Sequence, residues 1–180
     1  MPTVPVVPTP TGGVWNSSQL AALSAAVSFL MGKPAAELRQ TVAQSIPNAV
    51  WTAFTFTVED LDSDPSGGSG GHDNATNTSR WTCVYTGWYR TSGGGELAVN
   101  ATGQRGVAWA VNGTLVNASR TMVSATAAVG MDVPARTKLI FLITGDYVEL
   151  QTWQNSGGAL NTFITAEAAS GMSIVWERNA

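Results

Sequence analysis

Two hydrophobic rhythms divide the chain. Between residues 20 and 30 the apolar residues Leu20, Leu23, Val27 and Leu30 recur at spacings of three, four and three. That is the seam of a helix that faces a partner. Asn16, Ser17 or Ser18 can cap its start, and Gly32 with Pro34 stops it, which predicts one short helix within 15–33. Ala21, Ala22, Ala25 and Ala26 lie off the seam and are small rather than charged. A seam this short cannot hold a coiled coil alone. The helix therefore docks either along the seam on other copies or, as an ordinary amphipathic helix, on its own domain.

From residue 38 onward the rhythm shortens to that of strands. Runs rich in Val, Thr, Trp, Tyr and Phe recur between Gly, Asn and Asp turns. They predict strands at 38–45, 51–58, 80–85, 87–90 continuing past a glycine bulge to 99, 106–111, 114–122, 138–143, 147–154 and 172–177. Asn112-Gly113 is a hairpin dipeptide, and Gly145-Asp146 makes another tight turn. Short strands at this spacing with no helix between them mean an all-β antiparallel sandwich or jelly roll. The stretch 60–77, DLDSDPSGGSGGHDNATN, breaks the pattern and reads as a mobile surface loop.

Ahead of the helix, Pro2, Pro5, Pro8 and Pro10 give residues 1–14 an extended, polyproline-like character. Such an arm packs no core of its own. A free terminus is the default for it, but Val4, Val6, Val7 and Val14 alternate with the prolines, which favours a strap laid on a partner. Trp15 follows as a staple or anchor.

Composition sharpens the partner question. Only 12% of residues are charged, about half the usual share, and a surface poor in Lys and Glu is readily buried against protein. The net charge of −3, with no basic run, excludes a phosphate-neutralising grip on nucleic acid. The longest apolar stretch, interrupted by Ser24 and Ser28, is too short for a bilayer, and no secretory leader pattern is visible. A soluble chain without a membrane partner is expected.

Candidate chemistry is sparse. Cys83 is the single cysteine, so no intramolecular disulfide forms and no Cys/His cluster exists. His72, the only histidine, sits among loop glycines, a poor mount for a general base. Asp60, Asp62 and Asp64 alternate as calcium ligands do. As an EF-hand loop they fail, with Pro65 at the glycine position and Gly71 at that of the bidentate glutamate. The glycine clusters lack a P-loop lysine, no carboxylate pair stands out, and the Asn-x-Ser/Thr triplets read as turn residues. Trp51, Trp88, Trp109 and Trp176 lie within strand-like runs and are expected to be buried in a core or an interface, while Trp81 and Trp153 remain open to other uses. No catalytic residue, cofactor or metal site is expected, and the chain does not read as an enzyme.

Several pieces are familiar in their order. Ser45-Ile46-Pro47-Asn48 leads to Trp51-Thr52, and Gly87-Trp88-Tyr89 opens the middle strand. Residues 139–144 precede Gly145-Asp146-Tyr147-Val148-Glu149-Leu150-Gln151, then Asn155-Ser156-Gly157-Gly158 and a last strand at 172–176. From residue 38 to the end the chain resembles the C1q/TNF-like jelly rolls, without the collagen-like stalk of the C1q proteins. With its Pro-rich arm and Trp-Asn-x-x-x-Leu helix, the whole resembles small virion proteins of tailed bacteriophages, especially those of actinobacterial hosts. This resemblance implies a homotrimer with a 38–180 β domain, made in the host cytoplasm and mounted on the capsid exterior. Val4, Val6, Val7, Val14 and Trp15 would attach it to the major capsid protein as a decoration or head-fibre protein. Leu20, Leu23, Val27 and Leu30 would form the helix association seam. The alternative is a minor tail protein at the tail tip that binds a receptor or carbohydrate through Trp81, Trp153 and the 60–77 loop.

Overall fold

In a computed structural model, residues 3–10, 12–127 and 130–180 are described. Helix α1 spans Ser17–Met31. Its start is closed by a reciprocal cap. Asn16 Oδ1 accepts the Gln19 backbone N–H at 2.9 Å, and Gln19 Oε1 accepts that of Asn16 at 3.1 Å. At the other end the Gly32 N–H donates to Ser28 O at 3.0 Å.

The strands form two antiparallel sheets. The first runs β4 (Val58–Ser63), β1 (Ala35–Arg39), β14 (Gly171–Arg178) and β6 (Gly87–Leu97), with β10 (Met131–Pro134) and β11 (Lys138–Leu142) side by side along the far edge of β6. The second is built on β12 (Tyr147–Gln154), which takes β3 (Thr52–Ala53) and β5 (Trp81–Thr82) on one edge and β7 (Gln104–Val111) on the other. Beyond β7 lie β8 (Thr114–Leu115) and β9 (Thr121–Ser124). A separate ribbon pairs β2 (Ser45–Ile46) with β13 (Leu160–Asn161).

Alternation builds the core between the sheets. Leu38, Tyr89, Ile140, Leu142, Met172, Ile174 and Trp176 point inward from the first sheet and its edge. They meet Phe54, Phe56, Trp81, Val107, Trp109, Val148 and Leu150. Each large apolar side chain so buried contributes about 1.5–3 kcal/mol. Gly95 sits under this layer because a Cβ there would lie 2.4 Å from the Phe54 ring.

Several elements differ from the sequence expectation, each because strand pairing outranks local composition. The first strand is at Ala35–Arg39 rather than 38–45, fixed by its antiparallel register with β14, Ala35 opposite Val175. The 51–58 run contributes only Thr52–Ala53, and Val58–Ser63 is a strand although 60–63 reads as loop. Its acidic residues are tolerated there because β4 is an edge strand, paired only with β1. The 114–122 run divides around a turn in which Ala118 has φ 56°. Met131–Pro134 had no sequence signal. It is short and ends at a proline, which an edge position permits.

The helix also turns differently from its seam. Ala26 and Phe29 are its buried residues, and the Phe29 ring packs edge-on against Tyr85 at 5.2 Å and Trp176 at 4.9 Å. This buried stripe is displaced one residue, about 100°, from the apolar repeat. Leu20, Val27 and Leu30 are therefore 52%, 47% and 59% exposed, with Leu23 half-buried. Among the described residues no helix is long and apolar enough to cross a membrane.

Candidate functional site

Three regions carry side chains that the sequence singled out or that the fold leaves without partners. In the arm, Val4 packs against the main core cluster, and Thr9 O accepts a bond from Gln19 Nε2 at 2.7 Å, which lays the chain beside the helix. Val6, Val7, Val14 and Trp15 stay exposed, as do Leu20, Val27, Leu30 and Met31. Arm and helix together present apolar surface that no described residue covers.

The 60–77 segment carries its own carboxylate-centred hydrogen bonds. Asp60 pairs with Arg39 at 2.6 Å. Asp62 accepts three donors: the Gly71 N–H at 3.1 Å, the His72 N–H at 2.8 Å and Trp81 Nε1 at 3.1 Å. Burial raises the Asp62 carboxyl above its ordinary range, against the lowering effect of those hydrogen bonds. Asp64 accepts from the Ser66 N–H and hydroxyl and from the Tyr85 hydroxyl. The three aspartates thus serve three separate sets of donors. No group of three or more acidic, Cys or His side chains suited to a metal occurs among the described residues.

His72 is buried within this network. Its Nδ1 lies 2.8 Å from Glu59 Oε1 and its Nε2 lies 3.1 Å from Thr78 O. Both ring nitrogens face acceptors, so the ring clamps β4 to the end of the segment. Trp81 is fully buried, which removes it from the carbohydrate surface that the tail-tip alternative assigned to it. Its Nε1 satisfies Asp62 instead. Cys83 is buried too, and burial pushes its thiol up to about 11.

The third region was missed at the sequence level. On β11 the inward residues are Ile140 and Leu142. Leu139 and Phe141, with Ile143 just past the end of the strand, point away from the core and are 58%, 40% and 53% exposed. Trp88 lies opposite Phe141 in register and packs on it at 5.6 Å, while Arg90 separates Leu139 from the half-buried Val175. A signal was present: residues 139–143 are all apolar, and a strand with no polar alternation is suited to cover on both faces. The same sheet face is acidic elsewhere. Glu37, Glu96, Asp132 and Glu167 line a cleft of about 480 Å³, where burial and the charge of Asp132 raise the Glu96 carboxyl. The face is thus split into an apolar half and an acidic half.

No family model matches the chain, and no curated protein sequence matches it. Solved structures do. The globular domain of zebrafish complement 1qA protein is similar at 12% identity and a TM-score of 0.57, covering 82% of this chain and 99% of that one. Murine APRIL is similar at 14% identity and a TM-score of 0.56, covering 80% and 98%. A TNF protein from S. frugiperda, Eiger, is similar at 14% identity and a TM-score of 0.53, covering 82% and 96%. The chain therefore has the C1q/TNF jelly-roll fold, with strands β1, β14 and β6 at the centre of one sheet and β12 and β7 at the centre of the other.

Proposed function

We propose that this chain is a non-enzymatic structural protein of a tailed-bacteriophage virion, a homotrimer that decorates the capsid exterior. The observation that carries the reading is the pair of uncovered apolar surfaces, one on β11 with Trp88 and the other on the arm and helix. A monomer with both in water carries an aggregation liability, and closed threefold symmetry covers such surfaces without leaving an open edge. The C1q/TNF-like fold and the resemblance of the arm and helix to small phage virion proteins support the same assignment.

In this reading Leu139, Phe141, Ile143 and Trp88 meet their counterparts in neighbouring copies. The acidic half of the same face stays outside the contact, because like charges brought together there would repel. Val6, Val7, Val14 and Trp15 lie on the major capsid protein, with Val4 holding the arm to its own domain. Leu20, Leu23, Val27 and Leu30 complete the association near the capsid. Three arms on one trimer bind more tightly than one through effective concentration. Binding the assembled lattice in preference to free subunits stabilises the shell by mass action.

The test has two arms. Light scattering coupled to size-exclusion chromatography should give a mass three times that of the chain, and Phe141→Asp should reduce it to the monomer. A monomeric wild-type chain ends the trimer. A cryo-EM reconstruction of the source virion should then show trimeric knobs across the head. Density at the tail tip, or none on the particle, ends capsid decoration.

A further inference from the structure

The outward face of the second sheet carries an aromatic cleft. It measures about 490 Å³ and is lined by Trp51, Gln104, Arg120, Met122 and Trp153. Strand register builds it. Trp153 on β12 lies opposite Gly106 on β7, and Gly106 in turn lies opposite Met122 on β9. Met122 leans across the glycine, where a Cβ would come within 2.3 Å of its sulfur. On the other edge of β12, Thr152 pairs with Thr52, which brings the adjoining Trp51 to the same cleft. Both indoles are half-buried, held by the sheet with part of their surface still in water.

The polar groups of this cleft are unengaged. Neither the Arg120 guanidinium nor the Gln104 carboxamide makes a hydrogen bond or ion pair among the described residues. By contrast Arg39, Arg80 and Arg90 are each paired with a carboxylate. A second cleft of about 390 Å³ adjoins the first, shares Arg120 and adds Arg136, whose side chain is likewise unpaired. Among the described residues no carboxylate lines either cleft, although acids outnumber bases in the chain.

We propose that this double cleft binds an acidic oligosaccharide, with pyranose rings lying on Trp51 and Trp153 and their carboxylates on Arg120 and Arg136. The flat indole faces suit the apolar C–H face of a sugar ring. The guanidinium fork suits a planar carboxylate bidentately, and Gln104 supplies a donor and an acceptor for hydroxyls. The combined volume accommodates more than one ring. The site is independent of the proposed capsid role, since it lies on the sheet opposite the β11 surface.

The test uses the full-length chain and uronate tetrasaccharides built from galacturonate, mannuronate, guluronate or glucuronate units, followed by tryptophan fluorescence and calorimetry. At least one should bind saturably, and its methyl-esterified, uncharged form should bind about tenfold more weakly or worse. Arg120→Gln should shrink that difference and Arg120→Gln with Arg136→Gln should erase it, and Trp153→Ala should abolish binding while leaving the melting transition and oligomeric mass unchanged. Absence of binding by all four overturns the proposal. So does binding that survives Trp153→Ala, or equal binding of a short polyphosphate, which would reduce the site to a charge effect. A wild-type monomer, fatal to the trimer, would leave these outcomes unaffected.

Discussion

The polar segment 58–82 and the apolar segment 3–31 behave opposite to their compositions. The first is rich in Gly, Ser and Asp and should drift in water, yet Asp62, His72 and Trp81 tie it to the domain through half-buried hydrogen bonds. The second is rich in Val, Leu and Ala and should seek a core, yet among its described residues Val4 and Phe29 pack on the main core and Ala26 is buried, while Val6, Val7, Val14, Leu20, Val27 and Leu30 stay exposed. The difference is one of partners. A carboxylate can organise a loop if it gathers several donors, because each unmet donor would be costly when buried. An apolar stripe gains nothing until a second surface arrives to cover it.

The largest effect should come from removing the anchor of the apolar segment. Phe29→Ala deletes a buried ring between Tyr85 and Trp176. It should cost about 3–4 kcal/mol of helix docking, seen as proteolysis within residues 17–31 while the β domain keeps its melting transition. A helix that stays protected would show that it is held elsewhere. Next, Asp62→Ala strands three donors at once. It should lower unfolding free energy by about 3 kcal/mol in denaturant titration, and Asp62→Asn, which keeps an acceptor, should lose less. Equal losses would mean the negative charge, rather than the acceptor geometry, organises the segment.

A pH experiment sharpens the contrast at Cys83. Its folded value of about 11 stands above the unfolded 9.0. The folded state thus holds the thiol proton more tightly, and this stabilisation is present below pH 9.0 and lost as pH rises towards about 11. Cys83→Ser should flatten the stability profile over that window. At pH 8 the native thiol should resist a disulfide reagent that reacts at once with the unfolded chain. Rapid native labelling would indicate local opening next to Tyr85. The smallest effect should follow Leu20→Asp with Val27→Asp. Exposed positions of this kind change monomer stability by about 0.5 kcal/mol or less, so a drop in oligomeric mass or particle binding would isolate their role as contact surface. A large loss of monomer stability would show that the seam is covered within the chain.

Much of the fold was legible in the sequence. A cap among Asn16, Ser17 and Ser18, the Gly32 stop and the β-rich run along 147–154 are local chemistry, and the structure caps the helix at Asn16, places it at Ser17–Met31 and places a strand at Tyr147–Gln154. The strand at Val58–Ser63 was hidden because its acidic residues are acceptable only at an edge, and edges are assigned by topology. The clamp at His72 was hidden for a related reason. Its partners Glu59 and Thr78 are ordinary residues until β4 brings them to the ring. Trp153 was open to other uses, carbohydrate binding in the tail-tip alternative among them, but Trp51 was expected to be buried, and only the register of β12 with β3 and β7 sets the two indoles at one cleft.

The helix and its stop, the all-β character beyond it and the scarcity of charge were readable without coordinates, because each depends on neighbours a few residues apart or on composition alone. Tertiary structure decided which face of the helix is buried, whether Trp81 or Trp153 meets water, and which face of β11 lacks a cover. Those outcomes depend on contacts between residues far apart in the chain, and the hydrophobic effect that drives them is not directional. It requires that apolar surface be covered, and only the pairing of strands settles which surface is left over.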